Sequence, residues 1–304
     1  MPQIKGVVPG IGTPFTWEDE FDEKAYRASI EYYIQAGVNG LFPLGTVGQG
    51  PHMTIDERMK AAEVMMDQVK GRIAVVMQIG TADTRSTIIL AKHAEKLKVD
   101  AIGVLPLYYG KASDEAVVNH FKAVSAAVPL PIFMYDNFGT TQFKTTPKFL
   151  ERLLREVPMV KGCKMSSTDM VDKFMWLRAI PKDFIYLDGY TEFLPTVVPL
   201  GAKGIMSPRI GQAPELFVDT WKTIEQGDWN VSIPKLMKMW NIFKTIDSIA
   251  GREAEREILR LRGVPVQKMP RNATTRGAAP EVIQKLMKFM LENGIPVKQP
   301  AGVA

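Results

Sequence analysis

The chain has 304 residues, 46% of them hydrophobic and 23% charged, which is the balance of a globular protein with material for a large core. Its net charge is +5 and its pI about 9.1, yet basic residues alternate with acidic ones, as in Arg252-Glu253-Ala254-Glu255-Arg256-Glu257. Without a contiguous, aromatic-interleaved basic stripe, nucleic-acid binding is not indicated; the charge suits a mild attraction for anionic metabolites.

One rhythm runs from the first residues to about residue 226. Short apolar runs rich in β-formers predict strands near Gly6–Gly12, Gly40–Leu44, Ile73–Ile79, Ala101–Leu105, Ile132–Tyr135, Val160–Cys163, Phe184–Leu187 and Gly204–Ser207. Between them, amphipathic spacing predicts helices near Glu23–Ala36, Ile55–Val69, Thr84–Leu97, Asp114–Ala127, Pro147–Glu156, Val171–Ile180, Phe193–Leu200 and Pro214–Gln226. Thr54 and Ser113 are placed to cap their helices, and Gly37 and Gly71 to close two others. Eight alternations of strand and helix are the count of a (β/α)8 TIM barrel. A doubly wound sheet is the other α/β option, but no G-x-G-x-x-G follows the first strand.

Past Gln226 the rhythm stops. Helical patterns follow at Ile233–Ala250 and Ala254–Leu261, then a Pro/Gly-punctuated stretch from Gly263 to Pro280 and a last helix near Glu281–Asn293. The expected organisation is a catalytic barrel over 1–226 and a C-terminal helical extension over 227–304, frayed from Lys298 onward.

In such a barrel the residues that follow each strand converge on one face. Those positions hold Gly45-Thr46-Val47-Gly48-Gln49-Gly50-Pro51, Tyr108-Tyr109, Tyr135-Asp136-Asn137, Lys164, Asp188-Gly189-Tyr190 and Met206-Ser207. Lys164 closes the run Val160-Lys161-Gly162-Cys163-Lys164 among apolar and small residues. Burial there disfavours the charged amine, and a neutral amine attacks a carbonyl to form a Schiff base. The Gly45–Pro51 turn reads either as a plain tight turn or as a set of N–H groups for a carboxylate. Tyr135 reads as a core aromatic or a proton relay, only one of Tyr108 and Tyr109 can face inward, and Asp188 reads as a loop cap. A single cysteine, Cys163, rules out an intrachain disulfide, and His52, His93 and His120 lack ligand spacing, so no metal and no other cofactor is expected. The opening Met-Pro-Gln-Ile-Lys-Gly-Val-Val-Pro lacks an apolar signal core and no stretch reaches the ~20 apolar residues of a membrane span, which makes the cytoplasm the expected location.

Taken together, Gly45-Thr46-Val47-Gly48-Gln49, Tyr135, Gly162-Cys163-Lys164 and Gly201-Ala202-Lys203-Gly204-Ile205-Met206-Ser207 resemble the dihydrodipicolinate synthase/N-acetylneuraminate lyase family of class I pyruvate aldolases. The resemblance implies Lys164 as the Schiff-base lysine, Tyr135 as proton shuttle, and Thr46 as its link to Tyr108 or Tyr109. It further implies that Gly45, Thr46 and Val47 hold the pyruvate carboxylate with Ile205 lining the same pocket, that Gly189 borders the substrate, and that the chain forms a homotetramer.

The departures from that family's pattern matter. Val47 and Gln49 stand where the loop usually carries a second threonine and a glutamate, and the segment after Tyr135 lacks the arginine usual in the synthase branch. The turn Gly48-Gln49-Gly50-Pro51 resembles that of 2-keto-3-deoxygluconate aldolases, and Asp136, Asn137, Thr140 and Thr141 suit a polyhydroxylated substrate. The expected partners are therefore pyruvate and a hydroxylated aldehyde, cleaved from or joined into a 2-keto-3-deoxy sugar acid. Dihydrodipicolinate synthase, a keto-sugar-acid dehydratase and a barrel that only binds keto acids are the alternatives.

Overall fold

In the computed structural model, which describes residues 4–273 and 276–298, eight parallel strands follow one another in the order β1-β8-β7-β6-β5-β4-β3-β2. They are β1 (Gly6–Val7), β2 (Gly40–Leu41), β3 (Ala74–Gln78), β4 (Ala101–Val104), β5 (Ile132–Asp136), β6 (Val160–Met165), β7 (Ile185–Asp188) and β8 (Gly204–Ile205). The seam between β1 and β2 is closed by the Gly10–Phe42 bridge and by bonds from Asn39 N to Val7 O and from Phe42 N to Pro9 O. The result is the (β/α)8 barrel.

Several strands are shorter than expected because prolines interrupt their ladders: Pro9 ends β1, Pro43 ends β2 and Pro208 follows β8. The strands are buried on both faces, as a parallel sheet wrapped by helices requires. Phe42, Val76, Phe133, Tyr135, Leu187 and Met206 fill the barrel interior. Their alternates, among them Ile102, Met134, Cys163 and Tyr186, pack outward against the helices.

Eight helices precede or flank the barrel's last strands: α1 (Glu23–Gln35), α2 (Ile55–Val69), α3 (Thr84–Lys96), α4 (Asp114–Ala127), α5 (Phe138–Thr141), α6 (Pro147–Glu156), α7 (Met170–Ala179) and α8 (Leu194–Val197). After β8 come α9 (Pro214–Glu225), α10 (Trp229–Ala250), α11 (Ala254–Leu261) and α12 (Pro280–Glu292). Thr54 caps α2 in a reciprocal box with Glu57, and Ser113 caps α4 through Ala116 N. Gly37 and Gly71 take left-handed φ angles of 83° and 70° after α1 and α2.

Three helices depart from the sequence expectation. The stretch Phe193–Leu200 forms a 3-10 turn and only one α-turn, because Pro199 has no N–H to carry the helical ladder beyond Val198. The helix expected from Ile233 starts at Trp229, since Asp228 accepts from Val231 N and Pro234 removes one amide from an already established turn. The four-residue α5 between Tyr135 and Thr146 is too short to show a helical period in the sequence. At the other end Lys298 N bonds to Leu261 O at 2.7 Å; residues 299–304 lie outside the described ones. Among the described residues no helix is long and apolar enough to cross a membrane.

Candidate active site

Lys164 is the penultimate residue of β6, in register with Tyr135 on β5 and Leu187 on β7. Those neighbours point into the barrel, so the lysine shares their inward row, and only 7% of it is exposed. Its Nζ stands 4.2 Å from the centroid of the Tyr135 ring and 5.1 Å from that of Phe42. Both ring faces favour a cation at that point.

Three groups meet at the Tyr135 hydroxyl. The Thr46 hydroxyl lies 3.3 Å away, Asn137 Nδ2 donates at 3.0 Å, and the Lys164 amine stands over the ring. Burial alone would raise the phenol's pKa. The Lys164 charge and the hydrogen bonds from Thr46, Lys164 and Asn137 together outweigh burial and bring it below the ordinary value.

The turn that carries Thr46 is wound tightly around Leu44. Leu44 and Gln49 hold left-handed φ angles of 60° and 58°, which side-chain-bearing residues keep only where the surroundings enforce them. A Cβ on Gly48 would sit 2.5 Å from Leu44 N, and one on Gly50 2.1 Å from Leu44 O, so only glycine passes there. The Thr13 hydroxyl donates to Gly48 O at 2.6 Å. Among the described residues the N–H groups of Thr46 and Val47 donate to no backbone acceptor, so both remain open to an anion beside Gly45.

A residue that sequence reasoning passed over fixes this turn from outside. Arg271 N donates to Gln49 Oε1 at 3.0 Å, and its guanidinium reaches His52 O at 2.9 Å, Glu57 at 2.8 and 2.9 Å, and Asp19 Oδ2 at 3.0 Å. It also lies 4.8 Å over the Phe15 ring. Arg271 holds the Glu57 carboxyl below its usual range, and Lys268 with Arg271 does the same for Asp19. The arginine is 222 residues from Gln49 in sequence, and no local pattern marks it.

Other expected site residues are placed differently. Asp136 pairs in register with Met165 and Met165 with Asp188, a row that faces outward, away from Lys164. Ile205 also packs outward, and its neighbour Met206 points into the barrel. Asp188 is a buried cap: it accepts from Tyr190 N at 2.9 Å, from Tyr186 Oη at 3.2 Å and from Lys173 Nζ at 2.7 Å. Gly189 turns the chain out of β7 with its N–H on Met165 O at 2.8 Å. The Thr141 hydroxyl bonds to Asn137 O within its own turn. Tyr108 is half-buried beside Arg58, whose charge offsets part of the rise that burial imposes on its phenol. Tyr109 turns outward at φ 77° and is 99% exposed. No hydrogen bond joins either tyrosine to Thr46 among the described residues. Nor, among them, do three or more His, Cys, Asp or Glu side chains gather as metal ligands.

An amine enclosed by aromatic faces, a phenol with a lowered pKa, a hydroxyl beside it and two open amides form a set suited to carbonyl chemistry. The profile of the dihydrodipicolinate synthetase family matches residues 3–292. A 4-hydroxy-tetrahydrodipicolinate synthase of Methanopyrus kandleri is 31% identical over 227 residues, covering 74% of this chain and 76% of that protein. The enzyme of the same name from Salinibacter ruber is 34% identical over 204 residues, 67% of this chain and 68% of the relative. Among solved structures, YagE of E. coli K12, determined in complex with pyruvate, superposes with a TM-score of 0.86 at 25% identity, covering 96% of this chain and 99% of that one. Proteus mirabilis N-acetylneuraminate lyase shares the fold, with a TM-score of 0.84 at 23% identity over 97% of this chain and 100% of its own. The chain therefore belongs to the dihydrodipicolinate synthetase family, carbon–carbon lyases that work through a lysine Schiff base.

Proposed function

We propose that this enzyme cleaves a 2-keto-3-deoxy sugar acid to pyruvate and an aldehyde, or runs the reverse condensation, with Lys164 as the nucleophile. The observation that carries the choice of substrate is the segment after Tyr135. It folds as α5 and offers no cationic side chain until Lys144, which is paired with Asp172 at 3.3 Å. A second carboxylate on the aldehyde half would find no bidentate arginine there.

In the forward direction the Lys164 amine adds to the C2 ketone and the Tyr135 phenol protonates the departing hydroxyl, so that water leaves and an iminium and a phenolate remain. Tyr135 takes the proton of the C4 hydroxyl as the C3–C4 bond breaks. The bonding pair moves into the iminium, which becomes an enamine, and the aldehyde departs. Protonation at C3 and hydrolysis then release pyruvate and the free lysine. The amides of Thr46 and Val47 would hold the C1 carboxylate throughout, and the Phe42 and Tyr135 faces stabilise the cationic iminium.

The names of the relatives favour a second reading, condensation of pyruvate with aspartate semialdehyde. The two readings rank substrates oppositely. Pyruvate with glyceraldehyde should be condensed at a kcat/KM far above that for pyruvate with aspartate semialdehyde; the reverse order would return the chain to the synthase reaction.

Arg271 gives a separate expectation. Arg271→Ala removes the guanidinium bonds to Glu57, His52 O and Asp19 and leaves only the backbone N–H on Gln49, so the carboxylate turn loses most of its outer brace while Lys164 and Tyr135 are untouched. KM for pyruvate should rise roughly tenfold, the worth of about one charge-assisted hydrogen bond, with kcat much less affected. A drop in kcat at constant KM would show that the brace acts on chemistry and not on binding.

A further inference from the structure

Arg58, in the first turn of α2, is only 2% exposed. Its Nη1 donates to Gly80 O at 3.1 Å, its Nη2 donates to Gln78 O and to Gln78 Oε1, both at 2.9 Å, and its Nε is buried without an acceptor. Every one of these partners is neutral. Among the described residues no carboxylate pairs with Arg58, the adjacent Glu57 being bound to Arg271, and the one ionisable group that acts on it is the Tyr108 phenol. A buried cation without a counter-ion is costly, and a neutral amide side chain could donate to the same carbonyls. The charge therefore needs a use beyond joining α2 to β3.

Its surroundings supply one. Gln78 follows the inward-facing Val76 by two residues on β3, so it shares that row, and it pairs in register with Gly103. A Cβ on Gly103 would meet the Phe42 ring at 2.8 Å, and the centroid of that ring stands 5.1 Å from Lys164 Nζ. On its other side the guanidinium backs the carboxylate turn: a Cβ on Gly50 would sit 3.5 Å from Arg58 Cζ. Gly50 N in turn donates at 3.2 Å to Gly45 O, the oxygen of the peptide unit that presents the Thr46 N–H. One glycine and one hydrogen bond thus separate a buried positive charge from the open amides of Thr46 and Val47.

We propose that Arg58 is the fixed counter-charge for the carboxylate of the keto acid, selecting ionised keto acids over neutral ketones without touching them. The inference rests on the reading that the Thr46 and Val47 amides hold that carboxylate, and it supplies the charge those two neutral donors lack. Acting across Gly50, Arg58 is a positioning residue and forms no bond to the substrate. A unit charge acting across roughly 10 Å at an effective dielectric of about 20 favours an anion on the order of tenfold. The guanidinium is walled by protein, so salt screens it less than it would a surface lysine.

Burial draws the Arg58 guanidinium down to about 10, so it keeps its charge at neutral pH. Arg58→Lys keeps a charge and loses the planar fork, whereas Arg58→Met fills similar space with no charge at all.

The test compares cyanoborohydride trapping of pyruvate and of pyruvamide, which carries the same ketone beside a neutral C1, as a ratio of second-order rates. Effects on Lys164 itself cancel in that ratio. The wild type should exceed the ratio shown by a simple alkylamine in solution. In Arg58→Met, with folding checked by thermal melting, the ratio should fall roughly tenfold, whereas Arg58→Lys should retain most of it. If Arg58 were only a clamp, both variants would lose the bonds to Gln78 and Gly80 and their ratios would fall together. That result, or a folded Arg58→Met with the wild-type ratio, would overturn the assignment. Should Arg58→Met not fold, Arg58→Gln, which retains an amide donor, takes its place under the same criterion. The wild type separates the two levels. A ratio no higher than that of the alkylamine, or no adduct at all, shows that the reading of the carboxylate turn or of Lys164 is wrong, and the assignment falls with it. A high wild-type ratio that Arg58→Met leaves intact removes Arg58 alone.

Discussion

Borohydride added with pyruvate should inactivate the enzyme and leave a reduced adduct on the peptide that carries Lys164, and Lys164→Ala should show neither adduct nor turnover. The expected loss of rate is on the order of 10⁵-fold or more, because the variant keeps no group that can store the electrons of the broken C3–C4 bond. The structure separates this lysine from its rivals. Lys161 lies on the same strand but is exposed, Lys203 is exposed before β8, and Lys173 is bound to Asp188 on the outward face. Lys164 alone is buried, inward and next to a phenol. Mass mapping of the adduct to Lys161, Lys173 or Lys203 would end the assignment.

Tyr135→Phe should lose about 10²–10⁴-fold in kcat, the usual worth of a positioned acid–base group, while the pyruvate adduct still forms more slowly. The two steps separate because the amine makes the bond and the phenol moves the proton. The Phe42 and Tyr135 faces over Lys164 survive the substitution, since the ring stays and only the hydroxyl goes. What disappears is the junction with Thr46 and Asn137. Single-turnover trapping and steady-state rates on the same preparation distinguish this outcome from simple loss of folding. A variant that turned over like the wild type would reduce Tyr135 to packing.

The barrel was legible because its evidence is repeated: apolar runs and amphipathic helices alternate along 226 residues, and one misplaced boundary changes nothing in the count. The meeting of Lys164, Tyr135 and Thr46 was legible for the same topological reason, since strand ends converge. Asp136 shows where the reading stopped short. Adjacency groups it with Tyr135, yet neighbours on a strand point to opposite faces, and that alternation places it outward with Met165 and Asp188. Phe42 lies in the expected second strand, but its approach to Lys164 depends on how the barrel closes. Arg271 was out of reach in another sense: its contacts to Asp19, Gln49 and Glu57 join segments that no periodicity relates.

That same arginine ties competence to the order in which the chain is made. Domains of a nascent protein form from the amino terminus onward. The strands, the Thr46 turn and Lys164 are all synthesised before residue 271, and until then the outer bonds of the turn are missing. Those bonds arrive only when the segment Lys268–Arg271 returns to Phe15, Asp19 and Gln49. The outer brace of that turn is thus the last part of the site to be supplied in synthesis.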